Sequence, residues 1–408
     1  MHPFTGLATR EDGAIKICCR SHPIGWIQDQ SLEYTWNGPI MQEVRRQVLQ
    51  GERPEACKPC FDLEDQGVES LRQRHINGVI PEARINLYPD TEFKEIMPFE
   101  FPTMEIKLNN LCNLKCRMCN PLDSTNWKDW DAVVPFYKKE NNYLVPTIEK
   151  LVKTPGQYIG PFDDSDNWWK SFEKLLPHFR RVEFAGGEPL MDPQHYRILD
   201  MLKPYGKNIE IKYATNGTTL GISKGRTIHD YWPHFRSVAV NVSIDGIHDV
   251  YNYIRGNGDF NQVEENIKEI KKIPNVSRIV GAFTAQAGNI LQAAECIDYF
   301  INKMDIVFYS HRVSYPNCLS AQVLPFDLKK LAIKRLQEVS LHVDTWDAVK
   351  KNPLLGKVTH QQIQDNINYL QAKDANHLWK DFLEFNYNLD STRNQNLLNV
   401  VPEFRLYV

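Results

Sequence analysis

The sequence lacks any long apolar run. Nothing near its start has the hydrophobic core of a signal peptide, and no stretch is long enough to span a bilayer. A cytoplasmic location without a membrane partner is therefore expected. Charge of one sign is also missing. Forty-eight Lys and Arg against 51 Asp and Glu leave a net charge of −3, spread along the chain, which argues against a nucleic-acid surface. There is no internal repeat and no low-complexity tract. With 408 residues and 42% hydrophobic content, the chain can form two or three domains, or one barrel with additions. Nine cysteines in a reducing compartment do not suggest a disulfide framework. Their clustering suggests metal: Cys18-Cys19, Cys57/Cys60 and Cys112/Cys116/Cys119 form three groups, while Cys296 and Cys318 stand alone.

The densest group has the spacing C-x3-C-x2-C. Three thiols so close can wrap one metal centre and leave it a ligand short. Iron–sulfur clusters normally take four Cys thiolates. An open position is what separates a catalytic metal site from a structural one, a rule stated for zinc that carries over. Zinc is the competing reading. Structural zinc usually draws on two separated ligand pairs, and no fourth Cys or His lies within a few residues of this loop.

Residues 1–80 read as a small module. Gly13 to Ile17 alternates like a short strand and runs into Cys18-Cys19. Met41 to Leu49 reads as a helix ending near Gly51, followed by the Cys57-Lys-Pro-Cys60 knuckle. Residues 81–102, with Pro81, Pro89, Pro98 and Pro102, read as a linker. From 103 onwards strands alternate with helices. Expected strands are Met104 to Leu108, Arg181 to Ala185, Ile209 to Ala214, Val238 to Ile244, Arg278 to Phe283 and Ile306 to Val313. Phe260, Val263, Ile267 and Ile270 share one helical face, which Pro274 ends. The alternation implies a parallel sheet covered by helices, with six strands, enough for a partial barrel. Chemistry in such sheets sits at the C-terminal strand ends. Residues 121–178 form a long insertion rich in aromatics, either a lid or substrate-binding element, or a helical decoration with its own small core. Residues 326–408 read as mainly helical and carry no visible chemistry.

After the second expected strand stands Gly186-Gly187-Glu188-Pro189. The glycines allow close backbone approach to a ligand, and the carboxylate can pair with an amine. Alone this is a common turn. One strand after the three-cysteine loop it is far more specific, and here the sequence resembles the radical S-adenosylmethionine (radical SAM) enzymes. Thr215-Asn-Gly217, Ser243-Ile-Asp-Gly246 and Tyr253-Ile-Arg-Gly256 follow in the family's order, so that the resemblance covers roughly residues 103–315. Met118 departs from it, since an aromatic residue usually precedes the third Cys and packs the adenine. A polarizable Met can do the same.

The resemblance implies an α/β fold with a partial (β/α)6 TIM-like barrel over 103–325, and an enzyme. Cys112, Cys116 and Cys119 would hold a [4Fe–4S] cluster whose open iron chelates S-adenosylmethionine. Its reductive cleavage gives a 5′-deoxyadenosyl radical, which takes hydrogen from a substrate. Gly186, Gly187 and Glu188 would meet the methionyl amine, and Ser243 and Arg255 the carboxylate, for which Arg255 has a matching fork of donors. Asn216 and Asp245 would lie near the methionyl or ribose part; Asp245 also reads as a simple Asp-Gly turn, and Arg255 as a surface ion pair. A flavodoxin- or ferredoxin-like electron donor is implied as partner.

The first 80 residues resemble the twitch or SPASM modules of the same superfamily, through the Cys18-Cys19 strand end, Trp36-Asn37 before a helix, and Cys57-x-x-Cys60. In most relatives the module follows the barrel; here it precedes it. Cys57, Cys60 and at least one of Cys18 and Cys19 would hold a second, auxiliary [4Fe–4S] cluster. Cys318, His22 or an open iron are the choices for a fourth position, with structural zinc and free thiols as the plain alternatives. Cys296 reads as a small buried hydrophobe. The substrate implied is a peptide or protein side chain, to be oxidised or crosslinked. The alternatives are a small molecule such as a sugar or nucleotide, and a non-catalytic iron–sulfur electron carrier or binding protein.

Overall fold

The structure, a computed structural model, describes residues 2–73, 94–313 and 315–408. Among them eleven strands form: β1 (Gly6–Thr9), β2 (Ala14–Lys16), β3 (Pro23–Trp26), β4 (Thr103–Ile106), β5 (Arg181–Phe184), β6 (Glu210–Thr215), β7 (Gly221–Ser223), β8 (Arg226–Thr227), β9 (Ser237–Ser243), β10 (Val276–Ala285) and β11 (Val307–Arg312). Nine make one sheet in the order β11-β10-β9-β6-β5-β4-β1-β2-β3, and β7 and β8 form a separate hairpin.

From β4 to β11 the sheet is parallel, and its six strands follow one another in chain order. This is the partial (β/α)6 barrel expected from the alternation. The crossover helices form where local chemistry favours them. Pro193–Leu202 starts with Pro at its first turn and with the Asp192 carboxylate accepting from the Gln194 N–H. Phe260–Lys271 is capped by Asp259 and buries Phe260, Val263, Ile267 and Ile270 on one face. The sheet curves enough for its far strands to face one another. Leu7 and Ala8 of β1 and Tyr309 to Arg312 of β11 line the same cavity.

The sheet does not stop at the expected linker. Strand β1 pairs in parallel with β4, matching Gly6 with Thr103 and Ala8 with Glu105, and β2 and β3 continue antiparallel beyond it. Trp36 and Asn37 bind the segment leading into β4: the indole N–H donates to the Pro98 carbonyl at 2.7 Å and the Asn37 amide to Met97 O at 2.8 Å. Residues 81–93 of the expected linker lie outside the described residues.

The 121–178 insertion contains the helices Trp130–Lys139, Leu144–Leu151 and Asp166–Leu175. It has a small core of its own around Leu122, Ile148 and Ile159, while Trp127, Trp168 and Phe172 join the main one. The C-terminal extension is helical, with Phe326–Ser340, Pro353–Ala372 and Trp379–Arg393 as its longest members. The second covers the open edge of β11, where Gln362 Oε1 accepts the Ser310 N–H at 2.8 Å. No helix among the described residues is long and apolar enough to cross a membrane.

Candidate active site

The three-cysteine loop leaves the C-terminal end of β4 and is pinned on all sides. Lys115 N–H and Arg117 N–H donate to the carbonyls of Gly256 and Ile254. The Trp127 indole donates to Cys116 O at 2.6 Å, and the Asn126 amide to Cys112 O at 2.9 Å. Cys112 and Cys116 are buried and Cys119 half-buried. Burial, with Cys116 next, pushes the Cys112 thiol up to about 12. Cys116 falls to about 6 through the hydrogen bond from Cys119 and the nearby Arg255 guanidinium.

Two donors are aimed at these sulfurs. Arg255 Nη1 lies 3.1 Å from Cys116 Sγ, and the Asn216 amide lies 3.7 Å from Cys112 Sγ. Donors of this kind suit thiolates in an anionic cluster, so the residues present fit a [4Fe–4S] group. Among the described residues, no three His, Cys, Asp or Glu side chains converge on a single-ion site.

Gly186 and Gly187 lie directly beneath this loop. Gly186 has φ of +119°, and a Cβ on Gly187 would sit 2.3 Å from the Leu111 carbonyl oxygen. Glu188 N–H donates to that same Leu111 carbonyl at 2.7 Å. The Glu188 carboxylate is buried and accepts from Leu190 N–H, Thr215 Oγ1 and Asn216 N–H at 3.1, 2.7 and 2.6 Å. Burial raises its pKa to about 7 despite these donors. A cationic amine beside it would favour the charged form. The third strand end thus meets the second through Glu188, and Asn216 ties on to the loop by donating to Asn113 Oδ1 at 2.9 Å.

Arg255 and Asp245 are neither a surface pair nor a plain turn. Arg255 is 8% exposed and Asp245 fully buried, with Nε and Oδ2 2.9 Å apart. Asp245 Oδ1 also accepts the Thr284 N–H at 2.6 Å, which brings in the end of β10. Ser243 ends β9 half-buried, and Met118 is half-buried against the Cys112–Cys116 cluster. Every barrel residue singled out from sequence therefore gathers at one end of the sheet.

Sequence reasoning missed what holds the loop from behind. Arg117, fully buried, donates to Tyr253 O, to Asn386 Oδ1 at 3.0 Å, to Gln395 Oε1 at 2.9 Å and to the Asp390 carboxylate, and lies 3.6 Å over the Tyr253 ring. Arg393 donates to Lys115 O at 2.7 Å and to Asp129 at 2.8 Å. The C-terminal extension, without chemistry of its own in the sequence reading, braces the cysteine loop.

The N-terminal cysteines form a second group. Cys18 and Cys19 follow β2, in a turn where Ser21 Oγ donates to Cys18 O and accepts from Ile17 N–H. Cys57 caps the helix Lys58–Glu64, which carries Cys60. Burial pushes the Cys57 thiol up to about 11, with Cys18 and Cys60 as its next influences. Cys18, Cys19 and Cys60 line one cavity together with Glu105, Glu183 and Lys212 of the barrel interior. Cys318 does not join them; it lines another cavity beside Lys139, Glu140 and Asp381. His22 stacks edge-on with Tyr143 instead. Cys296 is fully buried, as expected of a small hydrophobe.

A family model of the radical SAM superfamily matches residues 106–295, and one of an iron–sulfur cluster-binding domain, SPASM, matches residues 1–61. No curated protein sequence matches the chain. Among solved structures, Streptococcus suis SuiB bound to S-adenosylmethionine is 18% identical, over 60% of this chain and 48% of that one, at a TM-score of 0.35. The same protein bound to precursor peptide SuiA is 17% identical over 77% and 62%, at 0.36. Native anSMEcpe with bound AdoMet and the Cp18Cys peptide is 20% identical over 62% and 61%, also at 0.36. The chain thus spans about half to three fifths of the length of these relatives. The protein carries a radical SAM domain, the catalytic domain of enzymes that use S-adenosylmethionine and a [4Fe–4S] cluster, preceded by an N-terminal auxiliary iron–sulfur domain of the SPASM kind.

Proposed function

We propose that this enzyme oxidises or crosslinks a side chain of a peptide or protein. The observation that carries the reading is the cavity shared by Cys18, Cys19 and Cys60 with the barrel interior. A substrate held in the barrel would lie between the cysteine loop at its end and a second redox centre at its side. The peptide class follows from the SPASM-type domain, since the resemblance ties such modules to peptide and protein substrates.

In this reading Cys112, Cys116 and Cys119 hold the catalytic cluster, and Cys18, Cys57, Cys60 and Cys19 supply the auxiliary one. Glu188 with the backbone of Gly186 and Gly187 receives the methionyl amine. Arg255, oriented by Asp245, and Ser243 receive the carboxylate; Asn216 and Met118 border the ribose and adenine. When bound, cluster and S-adenosylmethionine supply reductive cleavage of the S–C5′ bond, giving methionine and a 5′-deoxyadenosyl radical that takes a hydrogen atom from substrate. The chain's own part is to hold these groups in register and to exclude water, which the buried loop and its carbonyl contacts do. The division into an auxiliary segment at 1–80, a joining segment at 81–102, a catalytic core at 103–325 and an extension at 326–408 is then one of chemical labour laid over a single sheet. An electron donor of the flavodoxin or ferredoxin type completes the scheme.

The enclosed, charged character of the cavity favours a second reading, a small polar substrate. The test begins with anaerobic reconstitution, reductant and S-adenosylmethionine, and a measurement of 5′-deoxyadenosine. Yield no greater than that of a Cys112/Cys116/Cys119→Ala variant would refute the catalytic reading. Deuterium transfer into 5′-deoxyadenosine from labelled peptides or labelled small metabolites then separates the two substrate classes.

A further inference from the structure

The inner face of the sheet carries a charged layer, one residue short of the C-terminal ends of β4 and β5. Cross-strand register aligns Ala8, Glu105, Glu183, Lys212 and Ala239 side by side. Side chains alternate along a strand, so these residues share one face, and residues two apart lie about 7 Å along it. This layer borders the cavity of about 220 Å³ whose other wall holds Cys18, Cys19 and Cys60.

The charges in the layer are unevenly matched. Lys212 Nζ is 2.7 Å from Glu183 Oε2, so that pair neutralises itself. Lys107, one layer up, faces Glu11 at 3.9 Å. Lys16 donates its ammonium to Cys19 O at 2.7 Å. Arg312 donates to Ser310 Oγ and His311 O and turns toward the ring of Tyr369. Glu105 alone has no hydrogen bond or ion pair among the described residues, although it sits in the cavity wall between two strands. Its carboxyl is shifted upward, first by burial. Glu105 is half-buried; a carboxylate partly withdrawn from water without a partner is unfavourable, and a cation brought to it would be held strongly. Thiolates that hold a cluster on the facing wall would add negative charge to the same space.

We propose that this cavity receives a cationic group of the substrate, an ammonium or guanidinium such as that of a lysine or arginine side chain, with Glu105 as its counter-ion and specificity determinant. The proposal rests on the barrel interior being the substrate site and adds the chemistry selected there.

The experiment uses the anaerobically reconstituted protein and n-butylammonium as probe, with 1-butanol as its neutral counterpart, followed by saturation-transfer NMR. Butylammonium should bind the parent protein, at least tenfold more weakly the near-isosteric Glu105→Gln variant, and the alcohol should not distinguish them. Lys212→Met, which releases Glu183, should tighten butylammonium binding. Equal binding to parent and Glu105→Gln, absence of binding to the parent, or no gain in Lys212→Met would each overturn the proposal. The same preparations are assayed for 5′-deoxyadenosine. Cleavage without ammonium binding refutes the pocket alone, and ammonium binding without cleavage refutes the catalytic reading alone.

Discussion

Changing Asp390 to Asn tests whether the C-terminal extension holds the cysteine loop. Arg117 is fully buried and Asp390 has only 12% of its side chain exposed. The carboxylate takes the Arg117 guanidinium on one oxygen and the Leu397 N–H on the other, at 2.7 Å. Asparagine keeps the shape but removes the charge, leaving Arg117 buried beside neutral partners only. Breaking a buried pair on one side costs about 3–5 kcal/mol, and the residual exposure of Asp390 places the expectation near the lower end, about 3 kcal/mol. Urea unfolding of the reconstituted protein should register this loss. Hydrogen exchange should locate it, with amides of residues 113–119 losing protection before those of β6 and β9. In a double-mutant cycle, Arg117→Met and Asp390→Asn should be coupled by about 2 kcal/mol or more, since both remove one interaction. If Asp390→Asn lies within about 0.5 kcal/mol of the parent, the range of ordinary surface changes, and loop protection is unchanged, the extension does not brace the loop and the reasoning fails.

Three more outcomes are expected. Gly187→Ala places a methyl 2.3 Å from the Leu111 carbonyl oxygen, with backbone rather than a yielding side chain in its way, so the loop must move; iron retained per chain after reconstitution should fall well below that of the parent. Glu188→Gln turns an acceptor into a donor facing Thr215 and Asn216, costing about 1–3 kcal/mol, and calorimetry should show S-adenosylmethionine binding at least tenfold weaker. His195, buried with its Nε2 2.8 Å from the Tyr213 hydroxyl, is held down to about 3 by burial, against about 6.5 in the unfolded chain. Its contribution is present above about pH 6.5 and is lost as pH falls towards 3, at about 1.4 kcal/mol per pH unit. The unfolding midpoint of His195→Phe should therefore decline less steeply than the parent's between pH 6.5 and 5; equal slopes would count against it.

The barrel and its upper rim were legible because each is written locally. Six strands show as short apolar runs between turn signals, and the distinctive motif after each of the first four falls where parallel sheets do their chemistry. Other features were not legible, for different reasons. The pairing of β1 with β4 and the reach of Asp390 to Arg117 join residues far apart in sequence, and no periodicity announces such contacts. Glu105, Glu183 and Lys212 alternate with apolar neighbours as in a strand with one wet face; only the curvature of the sheet makes that face an interior. Arg255 read as ligand-binding, with a surface ion pair as the alternative. Its neighbour Cys116 is distant in sequence, and their contact emerges only when the loop folds back on residues 254–256.

The pairing of β1 with β4 also bears on how the chain is made and how it can be cut. During synthesis the first three strands emerge long before the partner that β1 needs, so this part of the sheet waits with an unsatisfied flank until β4 arrives. Removal of residues 1–61 would take away more than four cysteines. It would strip β4 of its neighbour and turn a central strand of the sheet into a bare edge, inviting pairing between molecules. A truncated barrel is thus expected to aggregate for a reason unrelated to iron, and loss of activity on deletion would not by itself reveal what the auxiliary domain does. Point substitutions at Cys57 and Cys60, which leave β1 in place, are the cleaner instrument.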